Sequence, residues 1–249
     1  MSRRVLVTGA SRGIGRAVAL AFARGGDRVA VHYGASGEEA RRTRDLLPGA
    51  GHVTVQADLA EAAQARRLVD EAASALGGLD VLVNNAGVFI AHPPLTTSWV
   101  GWQEAWTQTL TVNLLGAAHA TYAAVPHLVA AGGGAVVNVS SRGAFRGEPD
   151  CPAYAASKAG LNAFGQSMAI ALAPQGISVS TVAPGFVETD MARAVLDSPA
   201  GDAVRAQSPF GRVARPEEVA AVVLFLAGEE ARFASGTIVD VNGASYLRG

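Results

Sequence analysis

Short, mostly apolar runs rich in β-branched residues alternate along this chain with longer, alanine-rich stretches of helical length. Residues 5–8, 28–31, 52–55, 79–83, 135–139, 177–182 and 237–241 have the length and composition of buried strands. Runs of this kind need cover on both faces, and the long segments between them supply it as helices. The pattern predicts an α/β fold, a parallel seven-stranded sheet with helices on both faces. Ligands in such sheets bind beyond the carboxyl ends of the strands. The stretches near 113–122 and 155–172 predict long helices whose small residues permit close contacts. Trp99, Trp102 and Trp106, spaced by three and four, fall on one helix face. That face suits either packing or an aromatic wall beside a substrate.

Composition fits this picture and narrows the function. The 249 residues suit one large domain, 1–249, with no linker or repeat to divide it, and 49% hydrophobic content is ample for a core. A net charge of −1 offers no basic surface for nucleic acid or membrane. The single cysteine, Cys151, excludes an internal disulfide and a multi-cysteine zinc site, and reads as a small packed side chain. The five histidines lack metal-ligand spacing. No apolar run approaches the roughly 20 residues that span a bilayer. Residues 1–4 lead straight into the first strand without a signal-peptide apolar region, which predicts a cytoplasmic protein.

The first strand runs into Thr8-Gly9-Ala10-Ser11-Arg12-Gly13-Ile14-Gly15, ahead of a helix. Glycines at such a turn let the backbone approach a pyrophosphate, whose charge the helix N-terminus favours. A NAD site has an acid near the end of the second strand to bond the ribose 2′-hydroxyl. Here Val31-His32-Tyr33-Gly34 contains none, and Asp27 comes before the strand. Arg12 in the loop and Ser36 past the second strand suit a 2′-phosphate. The residues favour NADP(H), with NAD(H) as the alternative. Asp58 follows the third strand and Asn84-Asn85-Ala86-Gly87 the fourth. Asn84 reads as a structural residue that satisfies loop backbone groups.

Lys158 is the chain's one lysine beside 19 arginines, and it stands four positions after Tyr154 in Tyr154-Ala155-Ala156-Ser157-Lys158. On a helix that spacing puts both side chains on one face. An ammonium beside a phenol favours the phenolate, so the Tyr154 pKa is expected below its ordinary value of about 10. A tyrosine so poised can exchange protons in catalysis.

Taken in order, Thr-Gly-x-x-x-Gly-x-Gly, Asn-Asn-Ala-Gly, Asn113, Ser141, Tyr154-x-x-x-Lys158 and Pro184-Gly185 resemble the short-chain dehydrogenase/reductase family, from Val5 to Gly243. The resemblance implies a Rossmann-type, doubly wound fold and hydride transfer between a nicotinamide and a carbonyl or alcohol carbon. It implies that Tyr154 is the general acid in reduction and the base in oxidation. Lys158 would hold the ribose hydroxyls and lower the tyrosine's pKa, Ser141 would bond the substrate oxygen, and Asn113 would hold a water that continues a proton relay. For the cofactor it implies a loop of Gly9, Ser11, Arg12, Gly13, Ile14 and Gly15, with Ser36 nearby. Asp58 and Leu59 would lie at the adenine, and Asn85, Ala86 and Gly87 along the groove. Pro184, Gly185, Val187 and Thr189 would lie at the carboxamide. Read alone, Ser141 is an ordinary strand-end serine and Asn113 a polar residue inside a helix; only the full set gives them these roles.

Within the family, residues 211–220 and 238–243 are most similar to the 3-oxoacyl carrier-protein reductases. That branch tends to carry basic residues before the fifth and sixth strands, to meet an acidic carrier protein. Here 130–134 and 173–176 carry no charge. The expected substrate is therefore a small-molecule ketone or secondary alcohol, with a 3-oxoacyl carrier protein as the alternative and an idle dinucleotide-binding sensor as the reading outside enzymes. Arg142, Arg146, Arg193 and Arg205 read as solvated charges near the mouth. Residues 88–104 run a few residues longer than the family shows, and 190–210 are expected to form a mobile lid. The family's habit of pairing the helices near 113–122 and 155–172 implies a homotetramer.

Overall fold

The computed structural model describes residues 2–248. Its strands are β1 (Arg4–Val7), β2 (Arg28–Tyr33), β3 (Val53–Gln56), β4 (Val81–Asn84), β5 (Gly134–Val139), β6 (Ile177–Pro184) and β7 (Ile238–Val241). They form one parallel sheet in the order β3-β2-β1-β4-β5-β6-β7. All seven predicted strands are present. The chain winds outward from β1 to β3, returns to β4 beside β1, and winds the other way to β7. At that reversal the loops after β1 and β4 leave in opposite directions and open a crevice at the carboxyl ends.

The helices are α1 (Gly13–Arg24), α2 (Gly37–Leu46), α3 (Ala62–Leu76), α4 (Trp99–Leu110), α5 (Ala117–Ala130), α6 (Gly143–Arg146), α7 (Pro152–Leu172), α8 (Asp190–Leu196), α9 (Gly201–Arg205) and α10 (Pro216–Leu226). They cover both sheet faces, and the strand alternation decides which residue meets which layer. Val5 and Val7 of β1 face the layer with Val18 and Phe22 of α1 and Val219 and Val223 of α10. Leu6, between them, faces the opposite layer with Leu68 and Leu76 of α3, Leu128 of α5 and Leu172 of α7. None of the described helices is long and apolar enough to cross a membrane.

Two details set the site. Residues Thr111–Gly116, between α4 and α5, form a π-helical stretch, a widened turn that shifts the side chains following it. At the ends of β4 and β5, Asn84 Nδ2 donates to Asn138 Oδ1 and to Thr121 Oγ1, each at 2.9 Å. Asn84 is thus a buried tie between strands and α5, in keeping with its structural reading. In α4, Trp102 and Trp106 lie 5.8 Å apart, centroid to centroid, and pack on His92, whereas Trp99 is 72% exposed. Packing, rather than a substrate wall, accounts for Trp102 and Trp106.

Candidate active site

The crevice begins with two loops laced together. Thr8 Oγ1 accepts from the Asn85 and Ala86 N–H groups at 2.9 and 3.0 Å, and Asn85 Nδ2 donates to the Thr8 and Gly9 carbonyls at 2.9 and 3.1 Å. Gly9 has φ +62°, and a Cβ there would stand 2.8 Å from Ala86 Cα, so only glycine fits. A Cβ on Gly15 would run into the Gly9 carbonyl oxygen. The Ser11 carbonyl is pinned by Arg16 Nη2 at 2.6 Å and Thr43 Oγ1 at 2.9 Å. Arg12 is exposed at the start of α1 and, among the described residues, lacks a carboxylate within ion-pair distance. Ile14 is half-buried in the first turn of α1, and Ser36 stands at the start of α2. Asp58 is exposed, with Oδ1 accepting from the Ala60 N–H at 2.9 Å, and Leu59 beside it is buried. Bare backbone, a helix N-terminus and a free guanidinium together fit a phosphate-bearing dinucleotide.

His32, at the end of β2, closes this corner. Its Nδ1 accepts from the Gly9 N–H at 2.9 Å, its Nε2 meets the Ala57 carbonyl at 3.1 Å, and its own carbonyl accepts from the Ala10 N–H at 2.8 Å. A carbonyl can only accept, so the proton sits on Nε2 and the ring is neutral. Burial pushes the imidazole down from 6.5 to about 4. Sequence reading used this segment only for its missing acid.

On the opposite side, residues 184–189 leave β6. The Pro184 carbonyl accepts from the Arg142 N–H and the Val241 carbonyl from the Gly185 N–H, at 2.8 and 3.0 Å. Val187 is buried, and Thr189 starts α8. A Cβ on Gly13 would lie 3.2 Å from Thr189 Cγ2, so this segment and the glycine loop share one mouth.

The second cluster hangs on α7. Tyr154 and Lys158 are one turn apart, with Lys158 Nζ 5.7 Å from the Tyr154 ring centroid. Lys158 is only 4% exposed, and its Nζ donates to the Val139 carbonyl at the end of β5 at 2.8 Å. Ser141 follows β5, its Oγ accepting from the Gly143 N–H at 3.0 Å. Asn113, fully buried in the π-helical stretch, clamps Val88: Oδ1 accepts from its N–H at 2.7 Å, and Nδ2 donates to its carbonyl at 3.0 Å. A Cβ on Gly87 would lie 3.2 Å from Asn113 Oδ1 and 3.5 Å from Lys158 Nζ. The Phe89 ring, 45% exposed, stands edge-on to Tyr154 at 4.8 Å. Sequence reading did not single out Phe89, and nothing in its spacing marks it.

The structure departs from two expectations. Burial pushes the Tyr154 phenol up to about 12, against the pull of the Ser141 hydroxyl, rather than below its ordinary value. Burial likewise pushes Lys158 down to about 8. The Glu148 charge adds to the rise, and the ammonium, 5.7 Å from the ring centroid, does not reverse it. Arg142 is not a solvated charge: it is 3% exposed, donates to Ser245 Oγ at 2.7 Å, and lies over the Phe186 ring. Arg146 is exposed, and Arg193 and Arg205 pair with Asp190 and Asp202 on the surface.

A glycine-loop crevice facing a half-buried tyrosine and a buried lysine defines a nucleotide-binding α/β oxidoreductase architecture. A family model described as Enoyl-(Acyl carrier protein) reductase matches residues 9–244. The chain is 35% identical over 249 residues to the 3-oxoacyl-[acyl-carrier-protein] reductase FabG of Staphylococcus aureus (strain Mu50), covering 99% of each. A short chain dehydrogenase from Burkholderia cenocepacia J2315, solved in complex with NADP, superposes with TM-score 0.88 at 37% identity, over 98% of this chain and 97% of that one. A dehydrogenase/reductase from Sinorhizobium meliloti 1021 gives TM-score 0.89 at 32% identity, over 99% and 96%. The chain belongs to the short-chain dehydrogenase/reductase family.

His32 generates a prediction about pH. A histidine whose folded pKa is depressed contributes stability above its unfolded value, and that contribution is lost as pH falls from 6.5 toward about 4. Between about pH 7 and about pH 5 this amounts to about 2 kcal/mol. Urea unfolding should show the wild type losing about that much more than His32→Asn over this range. Parallel pH profiles would remove the role assigned to the buried imidazole.

Proposed function

We propose that this protein is an NADP(H)-dependent ketoreductase that moves a hydride between the nicotinamide and a ketone or secondary-alcohol carbon. The observation that carries this reading is the gathering of Asn113 and Lys158 around Gly87, with Tyr154 one helical turn from Lys158 and Ser141 at the adjoining end of β5. Bound NADPH supplies the hydride; the protein supplies position and electrostatics. Ser141 and Tyr154 donate hydrogen bonds to the substrate oxygen, where negative charge develops during reduction. Tyr154 then gives that oxygen its proton, and takes it back in oxidation. With its phenol near 12, Tyr154 is protonated at neutral pH, the form that reduction requires. Lys158 directs its remaining N–H donors to the ribose hydroxyls. Asn113 holds the 87–88 turn against Lys158 and a water that continues the proton relay.

Arg12 and Ser36 take the 2′-phosphate, a reading supported by the missing acid at the end of β2 and by the NADP bound to the Burkholderia relative. Gly9, Ser11, Gly13, Ile14 and Gly15 cradle the diphosphate. Asp58 and Leu59 meet the adenine, Asn85, Ala86 and Gly87 line the groove, and Pro184, Gly185, Val187 and Thr189 orient the carboxamide. Phe89 and a lid over 190–210, with its exposed Met191 and Phe210, give the substrate apolar surroundings. A second reading, reduction of a 3-oxoacyl group on a carrier protein, is favoured by the Staphylococcus relative. The uncharged segments 130–134 and 173–176 weigh toward the free ketone. The reading places the protein in the cytoplasm.

Replacing Tyr154 by Phe should lower kcat for any accepted ketone about a thousandfold, while the NADPH Kd from fluorescence titration stays within about threefold. Full activity in Tyr154→Phe would remove this residue from the chemistry. A homotetramer is proposed from the exposed apolar residues Leu115, Tyr122, Val129 and Ile170, which lie on the helices expected to pair. Sedimentation at micromolar concentration should give about 100 kDa, four times the 25.3 kDa chain; a monomer alone would contradict it.

A further inference from the structure

We propose that His92 is a positioning residue for Tyr154: it caps the first turn of α7 from a distant loop and so fixes where the phenol stands. The inference deepens the functional reading and rests on Tyr154 as the proton donor.

Helix α7 starts without a local cap. Cys151 occupies the cap position but its side chain makes no capping bond, and Pro152 brings no N–H. The Tyr154 and Ala155 N–H groups both turn back to the Cys151 carbonyl, at 2.9 and 3.3 Å. The Ala153 N–H, between Pro152 and Tyr154, needs an acceptor from elsewhere. His92 Nε2 provides it at 3.1 Å, from 61 positions upstream. A serine or aspartate side chain ordinarily does this work at a helix start.

Several contacts hold the imidazole in the orientation the cap requires. Nδ1 lies 2.7 Å from the Ile90 carbonyl, which can only accept, so Nδ1 carries the proton and Nε2 is a bare acceptor. The His92 N–H donates to the Asp150 carbonyl at 2.8 Å, tying the same loop to the residues just before α7. The ring is 1% exposed, with Trp102 and Trp106 at 5.3 and 6.5 Å. A partial rotation would break both ring hydrogen bonds and run into the indoles.

The other end of the loop is equally fixed. Asn113 clamps Val88, and Phe89 packs edge-on against Tyr154. Residues 88–92 therefore run from the neighbour of Lys158 to the neighbour of Tyr154. Misplacing a catalytic group by about 1 Å can cost about a hundredfold in rate, so a cap one residue from Tyr154 acts directly on catalysis.

The test uses two variants of the full chain. His92→Phe keeps a ring against Trp102 and Trp106 but removes both hydrogen bonds. His92→Gln keeps an oxygen to accept from Ala153 and a nitrogen to donate to Ile90. In His92→Phe, kcat for ketone reduction should fall roughly tenfold or more, with KM for NADPH within about twofold. The limb of the kcat–pH profile set by Tyr154 should move, and amide exchange over 153–157 should quicken about tenfold or more. His92→Gln should bring kcat and exchange back to within about threefold of wild type. Wild-type kcat and exchange in His92→Phe would overturn the proposal. So would a His92→Gln variant as impaired as His92→Phe, since shape rather than hydrogen bonding would then be what counts. If His92→Phe does not fold, His92→Gln decides alone, by near-normal or impaired exchange and kcat. If the wild type reduces no ketone, amide exchange still reports on the cap, so its failure and that of the ketoreductase reading are distinguishable.

Discussion

The crevice depends on one buried ammonium. Lys158 lies out of water with the Val139 carbonyl as its fixed acceptor, and burial holds its pKa near 8. A desolvated ammonium with further N–H donors has reason to take ribose hydroxyls when a dinucleotide enters. Its place is set by three neighbours. The end of β5 presents the carbonyl, Gly87 leaves room beside Nζ, and Asn113 holds the turn after Gly87 in register. A guanidinium is planar and wider and would not fit that space in the same way. This gives a physical reason why a chain that otherwise uses arginine carries its single lysine here.

Two buried histidines extend the same logic to either side. His32 accepts the Gly9 N–H where the glycine loop leaves β1, and His92 accepts the Ala153 N–H where α7 begins. Each donates its other ring proton to a carbonyl, of Ala57 or Ile90, which fixes the neutral tautomer. Neither need touch substrate or cofactor to matter, since each fixes backbone next to a residue to which the proposed function gives that contact.

The parts legible in sequence were those carried by local periodicity. Apolar runs located all seven strands, and the i, i+4 spacing put Tyr154 and Lys158 on one helix face. The glycine loop was legible because a strand-to-helix turn restricts its residues. What escaped depends on distant contacts. His32 and His92 act on backbone 23 and 61 positions away, and no spacing rule connects such partners. Arg142 reads as surface charge until Phe186 and Ser245 are seen to enclose it. The direction of the Tyr154 shift is not legible in sequence, because the i, i+4 ammonium is visible there while the desolvation that raises the phenol is not.

The most direct test of the account is the initial rate of NADPH oxidation by the purified protein, with NADH in parallel, using a short 3-oxoacyl thioester and a free cyclic ketone as acceptors. The account predicts turnover of at least one acceptor with NADPH, faster than with NADH by about tenfold or more, since the proposed Arg12 and Ser36 contacts favour a 2′-phosphate and the end of β2 carries no acid to favour NADH. Tight NADPH binding without turnover of either acceptor, or equal rates with the two cofactors, would contradict it.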